Sequence, residues 1–305
     1  MGDYYKSNAI YDALNVTTHN FQWVSGNSWL LVYGNKSNNE AKVLVLTHGK
    51  SWNEQSNIIS TLKFLAKKLK IPIFKIVFDD SENTSITSID FYSSLTSLKE
   101  IITLDKLKSK FKDIGLDIID GTCDKYLNDK TSSAYHKWQR NSLGNKIIVS
   151  DLDLIRVNKD KEPIEFIELK RSTASVSTWK PYRDDFVNFN LIDHISQQTK
   201  IPLFIVYNRM IKDNSTKIIS KDIHDPISIF SFTKNNYKSV EIDYSFEKFV
   251  SGDYLNKTNL TIAVTNTNQI SNLLPICQSC NKPFTPRTQN AVLCIDCWKK
   301  QYVYS

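Results

Sequence analysis

Glycine is scarce in this chain. Eight occur in 305 residues: Gly2, Gly26, Gly34, Gly49, Gly115, Gly121, Gly144 and Gly252. No two stand close enough to build GxGxxG or GxxxxGK[ST]. The loop that wraps backbone amides around a phosphate is therefore missing, which argues against P-loop NTPases and typical dinucleotide-binding dehydrogenases. HExxH and GxSxG are absent too. Any chemistry must rest on side chains that strands and helices bring together.

Hydrophobic residues make up 41% of the chain and charged residues 23%, enough for a sizeable core under a solvated surface. The longest apolar stretches, Ile71–Phe78 among them, fall far short of the ~20 residues that span a bilayer. Met1–Ile10 is polar and has no secretory pattern. The expectation is a cytoplasmic protein with no membrane partner. The net charge of +7 is uneven. Residues 1–130 hold 16 basic and 15 acidic side chains, whereas residues 271–305 hold 4 and 1. A basic C-terminal tail suits a polyanion, although a solvated surface alone would read the same way.

Four of the five cysteines lie in that tail, as Cys277-x2-Cys280 and Cys294-x2-Cys297 with thirteen residues between the pairs. Two CxxC turns joined by a hairpin can converge four thiolates on one Zn²⁺, the arrangement of a zinc ribbon. Four cysteines leave no open coordination position, so such a zinc would be structural. Lys282, Arg287, Lys299 and Lys300 are candidate phosphate contacts, and Cys123 reads as a buried or bystander thiol.

The rest reads as two α/β stretches. In residues 1–130, Ser28–Tyr33, Lys42–Thr47 and Ile73–Phe78 predict strands, and Asn57–Leu69 and Ser94–Lys112 predict helices. No catalytic constellation stands out there. In residues 131–254, Thr131–Asn141 predicts a helix and Lys146–Val157 one long β-run. Asn158–Pro163 then reads as a turn, Ile164–Lys170 as a strand, Pro181–Lys200 as containing a helix and Leu203–Tyr207 as a buried strand. The polar segment 255–275 reads as a linker to a ribbon over 276–305.

The second stretch carries the chemistry. Ser150-Asp151-Leu152-Asp153-Leu154-Ile155 is followed, after fourteen residues between Asp153 and Glu168, by Glu168-Leu169-Lys170. Alternation along a strand puts Glu168 and Lys170 on one face, and Asp151 and Asp153 on one face of the run before it. A hairpin through Asn158–Pro163 would bring the acidic ends together. Two carboxylates form a hard oxygen site suited to Mg²⁺ or Mn²⁺. A lysine beside them would neutralise charge developing on a phosphate and orient the attacking water.

Asp153, Glu168 and Lys170 in this order resemble the PD-(D/E)xK nuclease superfamily, the restriction-endonuclease-like fold. The resemblance covers about 131–250. It implies a mixed-sheet α/β core flanked by helices, Asp153 and Glu168 as metal ligands, and Lys170 beside the attacking water. The literal Pro is replaced by Leu152, and Asp151 competes with Asp153 as the first ligand. Members often add a polar side chain from a flanking helix; Gln197, Gln198, His136 and Arg140 hold such places, with Asp151, His136 and Gln198 the auxiliary candidates. The resulting expectation is a Mg²⁺-dependent endonuclease acting on DNA, with RNA the alternative substrate left open. A homodimer would let it cut both strands. The rival expectation is a non-catalytic zinc-ribbon protein that binds nucleic acid through a degenerate nuclease fold.

Overall fold

The computed structural model describes residues 8–14, 21–23, 28–53, 56–81, 86–123, 133–213 and 219–255. The four-cysteine ribbon and all but the first residue of the expected linker lie outside these residues. In chain order the elements begin with α1 (Ala9–Leu14), β1 (Phe21–Trp23), β2 (Ser28–Asn35), β3 (Ala41–Gly49), α2 (Ser56–Lys68) and β4 (Ile73–Phe78). β5 (Ser88–Tyr92), β6 (Glu100–Thr103), α3 (Leu104–Asp113) and α4 (Ala134–Ser142) follow. Next come β7 (Ile147–Asp151), β8 (Leu154–Val157), β9 (Pro163–Ser172) and α5 (Phe186–Thr199). The described chain closes with β10 (Leu203–Lys212), β11 (Ile219–Thr233), β12 (Asn236–Tyr244) and α6 (Phe246–Ser251).

The fold is α/β, with two mixed six-stranded sheets and six helices among the described residues. One sheet runs β6-β5-β4-β3-β2-β7, and only β3 and β4 are parallel in it. The other runs β1-β8-β9-β10-β11-β12, with β9 and β10 its parallel pair. A central core lies between the sheets. It joins Leu30, Val32, Leu44 and Leu46 of the first to Phe166, Ile205 and Tyr207 of the second through Leu62 and Leu65 of α2 and Phe189, Ile192 and Ile195 of α5. The outer face of the first sheet is covered by Leu107 and Phe111 of α3 and Tyr135 of α4. That of the second is covered by Ile10 and Leu14 of α1 and Phe249 of α6. Gly34 belongs to this central packing. A Cβ there would meet the Leu191 side chain at 2.4 Å and the Glu40 carbonyl at 2.3 Å, so β2 and α5 approach only because it is glycine. No helix among the described residues is long and apolar enough to cross a membrane.

Three expectations change. The single β-run over Lys146–Val157 is two strands in different sheets. Leu152 N–H donates to the Leu30 carbonyl at 2.8 Å, holding the chain against β2 up to that point. Beyond Asp153 the backbone pairs with β9 instead, so Asp151 and Asp153 stand on opposite sides of a strand break. The boundary at 130/131 does not separate the sheets, because β7 closes the sheet built from residues 28–103 and β1 edges the one built from 154–244.

The helix expected over Ser94–Lys112 starts only at Leu104. Ser97 Oγ donates to the Ser94 carbonyl at 3.1 Å and Thr96 N–H donates to Ser94 Oγ at 3.3 Å, local bonds that compete with helical ones. Thr103 then caps α3 by accepting from Lys106 N–H at 3.3 Å. The intervening Glu100–Thr103 becomes an edge strand, which leaves Ile101 exposed. α5 ends where the Ile201-Pro202 break was expected, with Lys200 in the left-handed region at φ 62°.

Candidate active site

β9 is the middle strand of the site. Its alternation puts Phe166, Glu168 and Lys170 on the face that α5 covers, while Leu169 and Arg171 take the opposite face. Lys170 Nζ donates to Glu168 Oε1 at 2.8 Å, with the lysine side chain a quarter exposed and the glutamate 7% exposed. The last β8–β9 pair is Leu154 with Ile167. One residue beyond it, Asp153 takes over from the ladder, and its Oδ2 accepts from Leu169 N–H at 2.8 Å. The strand break thus frees a carboxylate to bond the backbone between Glu168 and Lys170. The structure brings Asp153, Glu168 and Lys170 together.

The electrostatics follow from burial. Burial pushes the Asp153 carboxyl well above the usual carboxylate range, and the neighbouring Glu168 adds to this while Lys170 works against it. Glu168 is raised by burial as well, and the Lys170 ammonium only partly offsets it. For Lys170, burial disfavours the charge, but Glu168, Asp153 and Asp185 outweigh burial and hold its pKa above the ordinary lysine value. The cluster therefore has a firmly charged ammonium and two carboxyls that are uncomfortable as bare anions.

Glu168 Oε2 is buried and accepts no hydrogen bond among the described residues. A buried carboxylate oxygen without a partner is costly unless another positive group meets it. A divalent cation fits that requirement and the all-oxygen donor set. Among the described residues no three His, Cys, Asp or Glu side chains surround one point. Asp153 and Glu168 are the carboxylates that would hold such a cation, and a set this sparse would suit Mg²⁺, which keeps several waters.

The auxiliary candidates separate. Asp151 ends β7 and acts electrostatically on Asp153, Glu168 and His136. His136 is buried on α4, with its ring edge-on to Trp29 at 4.7 Å between centroids and its Nδ1 2.8 Å from Ser133 Oγ. Gln198 is engaged elsewhere: its Oε1 accepts from Lys70 N–H at 3.0 Å and its Nε2 lies 3.4 Å from His194. Gln197 binds Asp193 and Thr233. Arg171 pairs with Asp222 on the sheet's other face. One residue was missed. Asp185 precedes α5 by one position and makes no capping bond. It lies one turn before Phe189, whose ring centroid is 5.4 Å from Lys170 Nζ, and its charge acts on both Glu168 and Lys170. In sequence it looks like a cap; the absent capping bond appears only in three dimensions.

His136 gives the site's surroundings an acid limb. Burial pushes its pKa from 6.5 down to about 4, with Asp151 pulling it up and Arg140 pushing it down. The folded state holds it neutral, so its contribution to stability is present above the unfolded value and is lost as pH falls through about 4. At 1.36 kcal/mol per unit this amounts to about 3 kcal/mol. His136→Gln is expected to flatten the decline of urea-unfolding free energy between pH 7 and 4 by that amount. Parallel pH profiles for the two proteins would contradict this.

No family model matches the chain, and no curated protein matches it. Among solved structures, the C-terminal domain of the sex pheromone staph-cAM373 precursor from Staphylococcus aureus is similar at 9% identity, covering 71% of this chain and 70% of that one. Its TM-score of 0.14 carries no argument about fold or function.

Proposed function

We propose that the protein is a Mg²⁺- or Mn²⁺-dependent endonuclease of the PD-(D/E)xK type that hydrolyses phosphodiester bonds in DNA. The observation that carries this reading is the buried cluster itself: Glu168 ion-paired to Lys170 with one oxygen unpartnered, and Asp153 locked beside them onto the backbone of Leu169. The order α4-β7-β8-β9-α5-β10 supports it, since a helix precedes the aspartate and a helix and a parallel strand follow the lysine.

Asp153 and Glu168 would hold the cation, and the Leu169 carbonyl, just past the end of the β8–β9 ladder, would be the backbone group to join them. The cation would supply charge neutralisation at a phosphate oxygen and a more acidic bound water. Lys170, kept charged by three carboxylates, orients the attacking water and faces the charge that builds on the phosphate. Phe189 and the strands on either side keep bulk water from the buried half of the cluster. Cys277, Cys280, Cys294 and Cys297 are proposed to hold a structural Zn²⁺ in a module that adds a further nucleic-acid contact.

Supercoiled plasmid DNA incubated with the protein and Mg²⁺ is expected to become nicked or linear, and to stay supercoiled in EDTA. A gel shift without cleavage in any divalent cation would instead favour the non-catalytic binding reading.

A further inference from the structure

β10 and β11 outrun the sheet. β9 ends its pairing with β10 at Ser172, opposite Arg209, whereas β10 continues to Lys212 paired only with β11. The residues past Arg209 form a two-stranded ribbon at the end of the sheet where Glu168 and Lys170 lie. Residues 214–218 lie outside the described residues.

The register fixes which side chains share the site's face. In a parallel pair, partners point the same way, so Tyr207 faces with Lys170, and Arg209 lies two residues further along that face. The Arg209 charge acts on the Tyr207 hydroxyl, as this placement requires. Ile211 continues the row, and Lys221, its partner on β11, points with it. Asp222 points the other way, where it binds Arg171 and Asn208. Arg209 and Lys221 are exposed, and among the described residues neither has an ion-pair partner. Two cations without an ion-pair partner among the described residues thus extend the active-site face, and Asp222 is spent on the opposite side.

We propose that the β10–β11 ribbon is an arm that holds the phosphate backbone of duplex DNA beside the cut. This rests on the nuclease reading. At about 3.3 Å per residue, Arg209 and Lys221 stand roughly 7 and 13 Å beyond Lys170 along the strand. At about 3.4 Å per nucleotide, those are roughly two and four base steps from the phosphate under attack. The contacts go to phosphates, so they position the duplex without reading its sequence.

The test is fluorescence anisotropy of a labelled 24-base-pair duplex in EDTA, with the full-length protein over a salt series. Arg209→Ala combined with Lys221→Ala is expected to flatten the dependence of log K on log salt by about 1.8, two contacts at about 0.9 each, and to weaken binding on the order of tenfold at 0.1 M salt. Lys238→Ala, an exposed cation at the opposite end of the sheet, is expected to overlay the wild type. Wild-type binding matched by the double variant would overturn the arm and leave the nuclease reading standing. Equal weakening by Lys238→Ala would overturn it too, as an effect of overall charge. A wild-type protein that neither binds nor cuts duplex DNA would overturn both readings.

Discussion

Glu168→Gln is expected to lower the rate of DNA cleavage by about 10²–10³-fold or more, without unfolding the protein. The substitution keeps the shape of the side chain and an oxygen for Lys170, but removes the negative charge that would hold the cation. The fold survives because burial already works against the Glu168 carboxylate in the metal-free protein. A neutral amide removes that penalty, while Asp153 and Asp185 continue to balance Lys170. The melting temperature in EDTA should therefore stay at or above that of the wild type. Mn²⁺ should raise the melting temperature of the wild type and leave the variant unmoved, since only the wild type gains a ligand on folding. A variant that cuts at the wild-type rate would remove Glu168 from the mechanism.

Arg156→Ala is expected to have the largest effect on stability, through a network on the face of the same sheet that points away from the cluster. Arg156 is 3% exposed and Glu165 fully buried. Nε of the arginine donates to Glu165 Oε2 at 2.8 Å, and its two terminal nitrogens donate to the carbonyls of Phe249 at 2.6 Å and Val250 at 3.0 Å. The Tyr254 hydroxyl donates to the other Glu165 oxygen. The guanidinium also lies over the rings of Phe21 and Phe249, 4.4 and 5.1 Å from their centroids. One residue thus ties β1, β8, β9 and α6 together. Its removal strands a buried carboxylate and two carbonyls, which destabilises by about 3–5 kcal/mol. Urea melts would read this directly. Combining Arg156→Met with Glu165→Leu should recover part of the loss, because both charges then leave together. If alanine alone lowered the unfolding free energy by less than about 1 kcal/mol, the network would not be holding α6 as described.

Much of the site is legible in the sequence because period-two alternation fixes it locally. Glu168 and Lys170 share a face in any extended strand, and a polar turn before Pro163 sets the preceding segment against them. The apolar runs at Ile73–Phe78 and Leu203–Tyr207 are legible for a similar reason: both are buried strands introduced by Ile-Pro. The break between Asp151 and Asp153 is not legible, because both halves have the same β-type residues. Only the competition between β2 and β9 for the backbone decides where one sheet yields to the other. This decides which aspartate joins the lysine. In sequence, Gln198 is a suitable polar residue on the following helix. It lies nine residues past Phe189, about 14 Å along the axis, so the helix carries it away from Lys170. The partners of β11 and β12 are fixed by tertiary pairing, so the arm is visible only in three dimensions.

The carboxylate–lysine cluster is proposed to hydrolyse phosphodiester bonds. The most direct test is plasmid cleavage in Mg²⁺ by the wild type and by Lys170→Ala, side by side, with duplex binding measured on both. The expected result is metal-dependent nicking by the wild type, loss of nicking in the variant, and duplex affinity within a few-fold of wild type. Equal cleavage by the two proteins, or binding by both with no cleavage in Mg²⁺ or Mn²⁺, would contradict it.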